Sequence, residues 1–578
     1  MSKKRVKEEK EMPLGRKVLF LFALFFSVRV CMSLVYLSLY GSHTTPITET
    51  YFYYGVANGR LALEPYDVTG WILKFVAYIF HGESLLYGVF LAGSLISSLT
   101  ALLVFFFVKD IKDEKAALAA SILYGFLIEP LSMGVLLFTH DLVQMPFLIT
   151  FLWCVWTALK RRKVVWAAAA ILFFLSATRI NATIFIALEI AFVAVILHSL
   201  EKKERLYAYV FYALSVLLIF SLGSFLFGAA DKFIPSILRL LSLASRYDYG
   251  SLLATYHSGT ADFTPPSLNA YWTRYNVFLF ILPPSLYSSF KMRDSLPLAV
   301  FFPAAISSLF FDRASRVLDL GMALLLFNYI ISEKARAHSL PILAFGAVTT
   351  VLVWVMGRGS FLFLSTPLAI LLIWTISSRR RECEPRILGA GFLLTNILFF
   401  FLATGAPLIT EAEYASYRYL EGGKGLVLQD WGRGFAIEAV SGLSSEASPA
   451  NLSTLYQEVL MKGEEAACEE MRGRRIRYVI VTTQYFKLMG SEVAVSDFFL
   501  KHYNGRLEDL SETLLFRMLY DEGRVSCLTK VFERRDMATN AIVKVFEIKM
   551  ASDFHLRDYD LELSHEVTTT IKLIEKVI

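Results

Sequence analysis

Residues 18–40 read VLFLFALFFSVRVCMSLVYLSLY, an almost unbroken apolar run that follows the Lys-rich segment MSKKRVKEEKEMPLGRK. A run of this length is sufficient to cross about 30 Å of hydrocarbon as one helix. It lacks a small-residue cleavage site, and further apolar runs follow it. We therefore interpret it as a retained first transmembrane helix and not as a signal peptide.

Similar runs recur as far as residue 404, in a chain of 578 residues that is 56% hydrophobic and only 19% charged, with a mean hydropathy of +0.52. Such a composition is typical of a protein for which the bilayer is the main solvent. The sequence predicts about thirteen transmembrane helices. They lie near 18–40, 84–108, 116–137, 143–159, 164–178, 180–199, 206–229, 275–290, 296–311, 317–332, 339–356, 360–377 and 387–404.

The charge pattern predicts the orientation of these helices. If the N-terminus is cytoplasmic, the basic loops all fall on the cytoplasmic side, as the positive-inside rule requires. They are KDIKDEK (109–115), KRRK (160–163), EKKER (201–205), KMRD (291–294), EKARAH (333–338) and RRRECEPR (379–386). The same pattern accounts for the net charge of +6, so we expect no nucleic-acid partner. An odd number of spans then places the C-terminal region outside.

The resulting prediction is a multi-pass protein of the cell membrane with three parts. Residues 1–17 form a cytoplasmic N-terminus, 18–404 a membrane domain, and 405–578 an extracytoplasmic soluble domain. Long outer loops cover 41–83 and 230–274.

The C-terminal region alternates strand-like and helix-like patterns. RYVIVTT (477–483) and AIVKVFEIK (541–549) are typical of buried strands, and 452–471 is typical of a helix. The fold class predicted is therefore a polytopic α-helical membrane protein with a C-terminal soluble α/β or α+β domain. The five cysteines show no CxxC spacing, so we expect neither a disulfide framework nor a zinc site.

Three acidic residues fall in predicted outer loops, where a charge close to hydrocarbon is usually paired or functional. They are Glu49 in PITETYFYYGVANGR, Asp141 in LLFTHDLVQ and Asp262 in GTADFTPPS. Each also has a simpler interpretation: a solvated loop residue for Glu49, the cap of a helix beginning at Leu142 for Asp141, and a turn aspartate for Asp262.

Arg358, in VMGRGSFLF, lies between two apolar runs at the predicted outer surface. A guanidinium at that position suits a phosphate group, to which it can donate two parallel hydrogen bonds. The alternative is an arginine that extends to lipid headgroups.

The order of these motifs resembles the catalytic subunit of oligosaccharyltransferases, within the GT-C superfamily of membrane glycosyltransferases. TETYFYYG aligns Glu49 with the family's first-loop Asp, and THD aligns Asp141 with the last position of its DxD motif. GTADFTPPSLNAYW aligns Asp262 with a later acidic motif, and GRGSFLFLSTP aligns Arg358 with a phosphate-contacting arginine.

A fifth motif, LQDWGRGF, resembles the family's WWDYG at the start of its soluble domain. It retains Asp430, followed here by Trp431, but has Leu428 and Gln429 in place of the two leading tryptophans. In the family those tryptophans help to bind the Ser or Thr of the acceptor sequence Asn-x-Ser/Thr.

The resemblance implies a glycosyltransferase that uses a sugar linked to a polyprenyl or dolichyl phosphate or pyrophosphate, with a polypeptide acceptor and membrane lipids as partners. It implies Glu49, Asp141 and Asp262 as catalytic residues that hold a divalent cation, Mn or Mg. Arg358 would bind the donor phosphate, and Asp430 with Trp431 would bind the acceptor.

Three alternatives remain open. The first-loop TE before paired tyrosines also resembles protein C-mannosyltransferases, which use a monophosphate donor. A lipid or sugar transporter would show internal repeats and several ionisable residues within spans, and we find no repeat and few such residues, among them Glu129. The degenerate motifs are also compatible with a catalytically inactive paralogue.

Overall fold

The structure is a computed structural model, and twelve segments and two single residues of it are described here. They are 13–46, 49–63, 68–161, 278–291, 295–308, 314–331, 407–446, 455–482, 486–487, 494–495, 512–520 and 525–549, with Trp166 and Tyr275. The spans predicted between 164 and 229 and between 339 and 404 lie outside these residues. The count of thirteen spans therefore stays a prediction.

The chain forms two compact units. The first, called here the helical unit, contains the chain up to Leu34, the segment from Phe90 to Arg161, and the described helices between 278 and 331. The second, called the sheet unit, contains the segment Val35–Val89 and the described residues from 407 onward.

Three helices among the described residues are long and apolar enough to cross a membrane. They are α1 (Leu14–Tyr40), α4 (Ser84–Ile111) and α7 (His140–Arg161). At a rise of about 1.5 Å per residue, even the shortest of them matches the thickness of the hydrocarbon core. The predicted spans 18–40, 84–108 and 143–159 correspond to these helices.

Three further helices of the helical unit follow in the described part of the chain: α8 (Phe278–Lys291), α9 (Ser295–Ser308) and α10 (Ala314–Ile331). They match the predicted spans 275–290, 296–311 and 317–332. α10 packs against α8, α9 and the helix α5 described next. Its central residues from Val317 to Leu326 are almost fully buried.

The continuous helix predicted over 116–137 is wrong. The chain forms α5 (Glu114–Phe126) and a short α6 (Ile128–Ser132), separated by Leu127 in an extended conformation. Pro130 has no N–H, so a continuous helix would lose its hydrogen bond to the carbonyl of Phe126. The buried Arg29 instead donates hydrogen bonds to the carbonyls of Gly125 (2.9 Å) and Pro130 (3.2 Å), on the two sides of the break.

The sheet unit begins with two short helices, α2 (Glu49–Ala57) and α3 (Val68–Ile79). From residue 407 onward the chain adds α11 (Glu411–Tyr419) and α12 (Gly434–Ser441). α2 packs on α12 at close range, because a Cβ on Gly55 would lie 2.9 Å from the Cβ of Ala439. The amide of Asn58 also donates to the carbonyl of Ala439 (3.0 Å).

A four-stranded sheet forms the centre of the sheet unit, with the spatial order β1-β2-β6-β5. β1 runs parallel to β2, and the other neighbouring pairs are antiparallel. The two strands predicted from sequence correspond to β2 and β6, which are the central pair and the most deeply buried. The strands are β1 (Leu426–Leu428), β2 (Ile476–Thr482), β5 (Leu528–Arg535) and β6 (Ile542–Ile548), and β3 (Phe486–Lys487) and β4 (Ala494–Val495) form a separate hairpin.

Three helices pack with this sheet: α13 (Leu455–Leu460), α14 (Glu464–Gly473) and α15 (Leu514–Tyr520). The helix predicted over 452–471 is therefore two helices, and a turn at 461–463 separates them. The carbonyl of Lys462 in that turn accepts the N–H of Leu514 (2.9 Å), so the turn is tied to the start of α15.

Cys468 on α14 and Cys527 just before β5 form a disulfide, so the expectation of no disulfide is wrong. Their Cα atoms are 6.3 Å apart, which is within the range that a disulfide can bridge. They are 59 residues apart in sequence and both buried, so spacing alone did not reveal the pairing. The bond links a helix to the sheet across the core of the unit.

We predict that Cys468→Ser, Cys527→Ser and the double variant destabilise the sheet unit to a similar extent. Closing a loop of this size in the unfolded chain contributes on the order of 4 kcal/mol. Thermal unfolding of the purified protein with and without a reductant measures the effect. Replacement of the unpaired Cys154 by Ser is the control, because this variant keeps the disulfide and should lose as much stability in the reductant as wild type does. Equal unfolding of reduced and oxidised wild-type protein would contradict the prediction.

Candidate functional site

Asp141 lies in the first turn of α7 and is almost completely buried. The helix begins at His140, and the Oγ1 atom of Thr139 accepts the N–H of Leu142 (3.2 Å). Thr139 therefore caps the helix, and the interpretation of Asp141 as the cap of a helix beginning at Leu142 is wrong. The Asp141 carboxylate is directed to a different partner.

That partner is Arg316, in the first turn of α10. Its Nη1 atom pairs with the Asp141 carboxylate, and its Nε atom donates to Oε1 of Glu129 on α6 (3.1 Å). The exposed fractions of the three side chains are 17% for Arg316, 12% for Glu129 and 2% for Asp141. We call these three residues the carboxylate–arginine cluster. It brings together the ends of three elements that are far apart in sequence.

The cluster is costly to build, because removing charges from water is unfavourable unless they are paired with good geometry. Here one guanidinium serves two carboxylates that would otherwise repel each other. In membrane proteins, such buried ionisable groups usually mark a functional region.

Glu49 begins α2 in the sheet unit and is half-buried. A carboxylate in the first turn interacts favourably with the positive end of the helix dipole. Two contacts hold α2 in place: the hydroxyl of Tyr51 donates to the carbonyl of His43 (2.5 Å), and the ring of Phe52 packs on Phe435, with centroids 4.7 Å apart.

Asp430 follows β1 and shapes the turn before α12. Its Oδ1 atom accepts the N–H of Gly432 (2.9 Å) and lies 3.8 Å from Nη1 of Arg433. The two residues that replace the family's tryptophans, Leu428 and Gln429, are fully buried. Trp431 starts a 3-10 turn that ends at Arg433.

Arg433 ties this turn to α11. Its Nε atom donates to Oε1 of the fully buried Glu413 (3.2 Å), and its Nη2 atom donates to the carbonyl of Leu408 (3.3 Å). Glu413 in turn closes a capping box with Thr410 at the start of α11. The turn that carries Asp430 is thus held by a buried ion pair.

A second polar contact joins the loop after α1 to the start of α11. The backbone N–H of His43 donates to Oε2 of Glu411 (2.9 Å), and its Nδ1 atom pairs with Oε1 (2.9 Å). The ring of His43 stacks on Tyr414 with centroids 4.0 Å apart. Burial alone would raise the pKa of Glu411, but these hydrogen bonds from His43 hold it below its usual value.

Of the residues proposed from sequence, Asp262 and Arg358 lie outside the described residues. Glu49 and Asp430 belong to the sheet unit, where α2 packs on α12, and Asp141 belongs to the helical unit. The described part of the chain contains no group of three or more His, Cys, Asp or Glu side chains placed to hold a metal ion. Because Arg316 already pairs with Asp141, these residues do not by themselves fit a divalent cation.

A family model described as dolichyl-phosphate-mannose-protein mannosyltransferase matches residues 67–225 of the chain. No curated protein matches the sequence. The oligosaccharyltransferase of Archaeoglobus fulgidus in its apo form has a similar structure, with a TM-score of 0.55 at 12% identity, over 89% of this chain and 79% of that one. ArnT from Cupriavidus metallidurans in the apo state has a TM-score of 0.53 at 12% identity, over 92% of this chain and 98% of that one.

The chain has the GT-C fold. The resemblance to oligosaccharyltransferases that the motifs indicated is therefore confirmed at the level of the fold. The similar structures and the three long apolar helices described above also support a membrane location. The GT-C fold does not test the individual site residues, which stay predictions.

Two residues of the carboxylate–arginine cluster, Arg316 and Glu129, were not predicted from sequence as site residues. Arg316 stands in DRASRVLDL between two predicted spans, on the side of the membrane predicted for Asp141, and no motif in that stretch marks it as functional. Glu129 was noted only as an ionisable residue within a predicted span. The position of Arg316 next to an apolar run suggests that its charge is paired. It does not identify the carboxylates with which Arg316 pairs.

We predict that Arg316→Met destabilises the helical unit strongly, because it removes the guanidinium that pairs with Glu129 and with the buried Asp141. Breaking a buried ion pair in this way costs about 3–5 kcal/mol. The triple variant Arg316→Met, Glu129→Gln, Asp141→Asn should recover much of the loss. Thermal unfolding in detergent measures both.

The matched control is Arg418→Met, because Arg418 also lies near two carboxylates, Glu421 (2.7 Å) and Glu83 (3.8 Å), but is 44% exposed. An exposed pair contributes about 1 kcal/mol or less. If Arg316→Met were no more destabilising than Arg418→Met, the buried cluster would not have the role described.

We also predict an acid-sensitive contribution from Glu411. Because hydrogen bonds from His43 lower its pKa in the folded protein, the ionised carboxylate contributes stability above the unfolded pKa of about 4.3. That contribution is lost as the pH falls through the lower folded value. We therefore expect the free energy of unfolding of wild type to exceed that of Glu411→Gln at pH 6, and the difference to decrease as the pH falls to 3. Glu421→Gln, at a more exposed carboxylate of the same unit, is the control, and parallel curves for wild type and Glu411→Gln would contradict the prediction.

Proposed function

We propose that this protein is a membrane glycosyltransferase that moves a sugar or oligosaccharide from a polyprenyl-phosphate or polyprenyl-pyrophosphate donor to a polypeptide acceptor on the external face of the membrane. The observation that carries the proposal is the carboxylate–arginine cluster within a GT-C fold. A buried acidic residue held at the end of a membrane helix by an arginine is costly, and a catalytic role accounts for that cost.

The lipid-linked donor is supported by ligands in the similar structures. The Archaeoglobus fulgidus enzyme has been solved in complex with an inhibitory peptide and a dolichol-phosphate, and ArnT has been solved bound to undecaprenyl phosphate. The matching family model also has a dolichyl-phosphate-linked sugar in its description. These proteins share a polyprenyl-type phosphate, and we extend that donor chemistry to this chain.

In this proposal, the bond from the sugar to the donor phosphate breaks and a bond from the sugar to the acceptor forms. Glu49 receives the proton that the acceptor loses, which is the role of a general base. Arg358 donates hydrogen bonds to the phosphate as its negative charge increases. Asp141 and Asp262 complete the acidic set, and Arg316 fixes the orientation of the Asp141 carboxylate.

Asp430 and Trp431 orient the acceptor in this scheme. The buried pair of Arg433 and Glu413 supports that role, because it fixes the turn that carries Asp430. A rigid turn loses little entropy when an acceptor binds next to it.

The divalent cation, Mn or Mg, stays a prediction to which we assign no step. A structure of the Archaeoglobus fulgidus oligosaccharyltransferase contains Zn and sulfate, which favours a cation in that protein. In this chain the guanidinium of Arg316 already neutralises charge at Asp141.

A second candidate is the transfer of a single sugar from a polyprenyl monophosphate, as in a C-mannosyltransferase-like enzyme. Two observations favour it. The family model describes a mannosyltransferase that uses a monophosphate donor. In addition, Leu428 and Gln429 are fully buried, so they do not provide the exposed tryptophan surface of the oligosaccharyltransferase motif.

The test is transfer by the protein reconstituted in vesicles, with separate pools of polyprenyl-monophosphate and polyprenyl-pyrophosphate sugars and a library of peptides with and without Asn-x-Ser/Thr. We predict that Glu49→Gln, Asp141→Asn and Asp262→Asn each reduce transfer by about 10²-fold or more, the usual contribution of a catalytic acid or base. Arg358→Gln should reduce transfer by increasing the barrier to phosphate departure. Mass spectrometry of the peptides measures the product.

Arg418→Gln is the control for general damage and should transfer at the wild-type rate. The donor pool that supports transfer distinguishes the two candidates. Wild-type rates in all three acidic variants would remove the site assignment, and no transfer from either pool by folded wild-type protein would count against the enzyme itself.

A further inference from the structure

α3 is an apolar helix with an aromatic face that is turned away from the protein. Trp71, Phe75 and Tyr78 are 70%, 65% and 81% exposed. Their spacing of four and three residues places them on one side of the helix. Lys74 lies on the same exposed side. An exposed cluster of three large aromatic residues is unusual on a surface in contact with water.

The opposite face of α3 is packed against the protein. Thr69, Leu73 and Val76 are buried, and the helix contacts α2. The end of α3 also meets the first turns of α4, because a Cβ on Gly88 would lie 2.6 Å from the ring of Phe80 and 2.9 Å from Val76. α3 is therefore held against α4 near the residue where α4 begins.

The contact with α4 determines the depth of α3 relative to the membrane. α4 is a membrane-spanning candidate that begins at Ser84, five residues after the end of α3. A stripe of apolar residues on α4 stays exposed at every fourth position, as expected for a surface that faces lipid: Tyr87, Leu91, Leu95 and Leu99. This stripe starts one residue from Gly88, at the contact with α3.

α3 itself is too short to cross the membrane. Its 12 residues extend about 18 Å, compared with about 30 Å of hydrocarbon. The remaining location for an apolar helix packed against the first turns of a spanning helix is the boundary between hydrocarbon and water.

We propose that the aromatic face of α3 binds the lipid headgroup region of the membrane surface at which α4 begins. Tryptophan and tyrosine prefer this region because their rings are apolar and their N–H and O–H groups remain hydrated. Lys74 can place its ammonium group among lipid phosphates while its methylene chain stays apolar. The binding surface consists of Trp71, Lys74, Phe75 and Tyr78.

This contact has a consequence for the sheet unit. α3 packs on α2, α2 begins with Glu49, and α2 packs in turn on α12. Lipid binding by α3 therefore sets the height of Glu49 above the membrane surface. The inference stands on the exposed face and the contact at Gly88, so it does not depend on the proposed transferase activity.

The experiment measures depth with spin labels on the full chain in lipid nanodiscs. Single cysteines replace Trp71, Phe75 or Tyr78 in a background with Cys31→Ser, Cys154→Ser and Cys383→Ser, in which the Cys468–Cys527 disulfide remains. The control label replaces Met537, which is 93% exposed near the turn between β5 and β6. We expect labels at 71, 75 and 78 to collide more often with oxygen than with a water-soluble nickel chelate, and the label at 537 to show the reverse.

A preference for nickel at all three positions, equal to that at 537, would overturn the proposal by placing α3 in water. Low access to both reagents, with dipolar broadening between labels, would also overturn it, because a second copy of the chain would then cover the face. Quenching by brominated lipids provides a measurement without labels. Brominated lipids should quench a larger fraction of the tryptophan fluorescence in wild type than in Trp71→Phe. Equal quenched fractions would count against contact of Trp71 with lipid.

Discussion

Arg316 brings together two carboxylates that would otherwise repel each other inside an apolar unit. Glu129 comes from the short helix after the break in the chain, Asp141 from the start of α7, and Arg316 from α10. The cluster therefore depends on the break itself, which Arg29 stabilises by binding the carbonyls of Gly125 and Pro130. Arg29 and Arg316 thus have complementary roles. One satisfies backbone groups that the broken helix exposes, and the other neutralises side chains, as a low-dielectric interior requires.

The sheet unit joins two segments that are distant in sequence, since its first loop and its later residues are more than 300 positions apart. The contacts that join them are specific: the carboxylate of Glu411 holds His43, and Gly55 allows α2 to approach Ala439. The buried pair of Arg433 and Glu413 then fixes the turn after β1. Through these contacts the helix that begins at Glu49 and the turn that carries Asp430 become parts of one unit, as a joint role in acceptor binding would require.

The sequence predicted those features that depend on local pattern. Apolar length predicted α1, α4 and α7, and the runs of β-branched and aromatic residues predicted β2 and β6, because central strands are buried on both faces. It did not predict features that depend on distant partners. The Cys468–Cys527 bond, the pairing of Asp141 with Arg316 and the packing of α2 on α12 each join residues 59 or more positions apart. The break at Leu127 was missed because Pro130 lies within an otherwise continuous apolar run, and hydropathy does not register the hydrogen bond that proline removes.

The acceptor side of the proposed site is where this chain departs most from the oligosaccharyltransferase motif. Leu428 completes β1 within the core, and Gln429 lies beside the buried Tyr417, whose pKa burial raises well above its ordinary value. Neither side chain reaches the surface, so neither can contact an acceptor in this conformation. Selection of an acceptor would then depend on Asp430 and on residues outside the motif. The chain thus has the GT-C fold but buries the two positions at which the oligosaccharyltransferase motif has its acceptor-binding tryptophans.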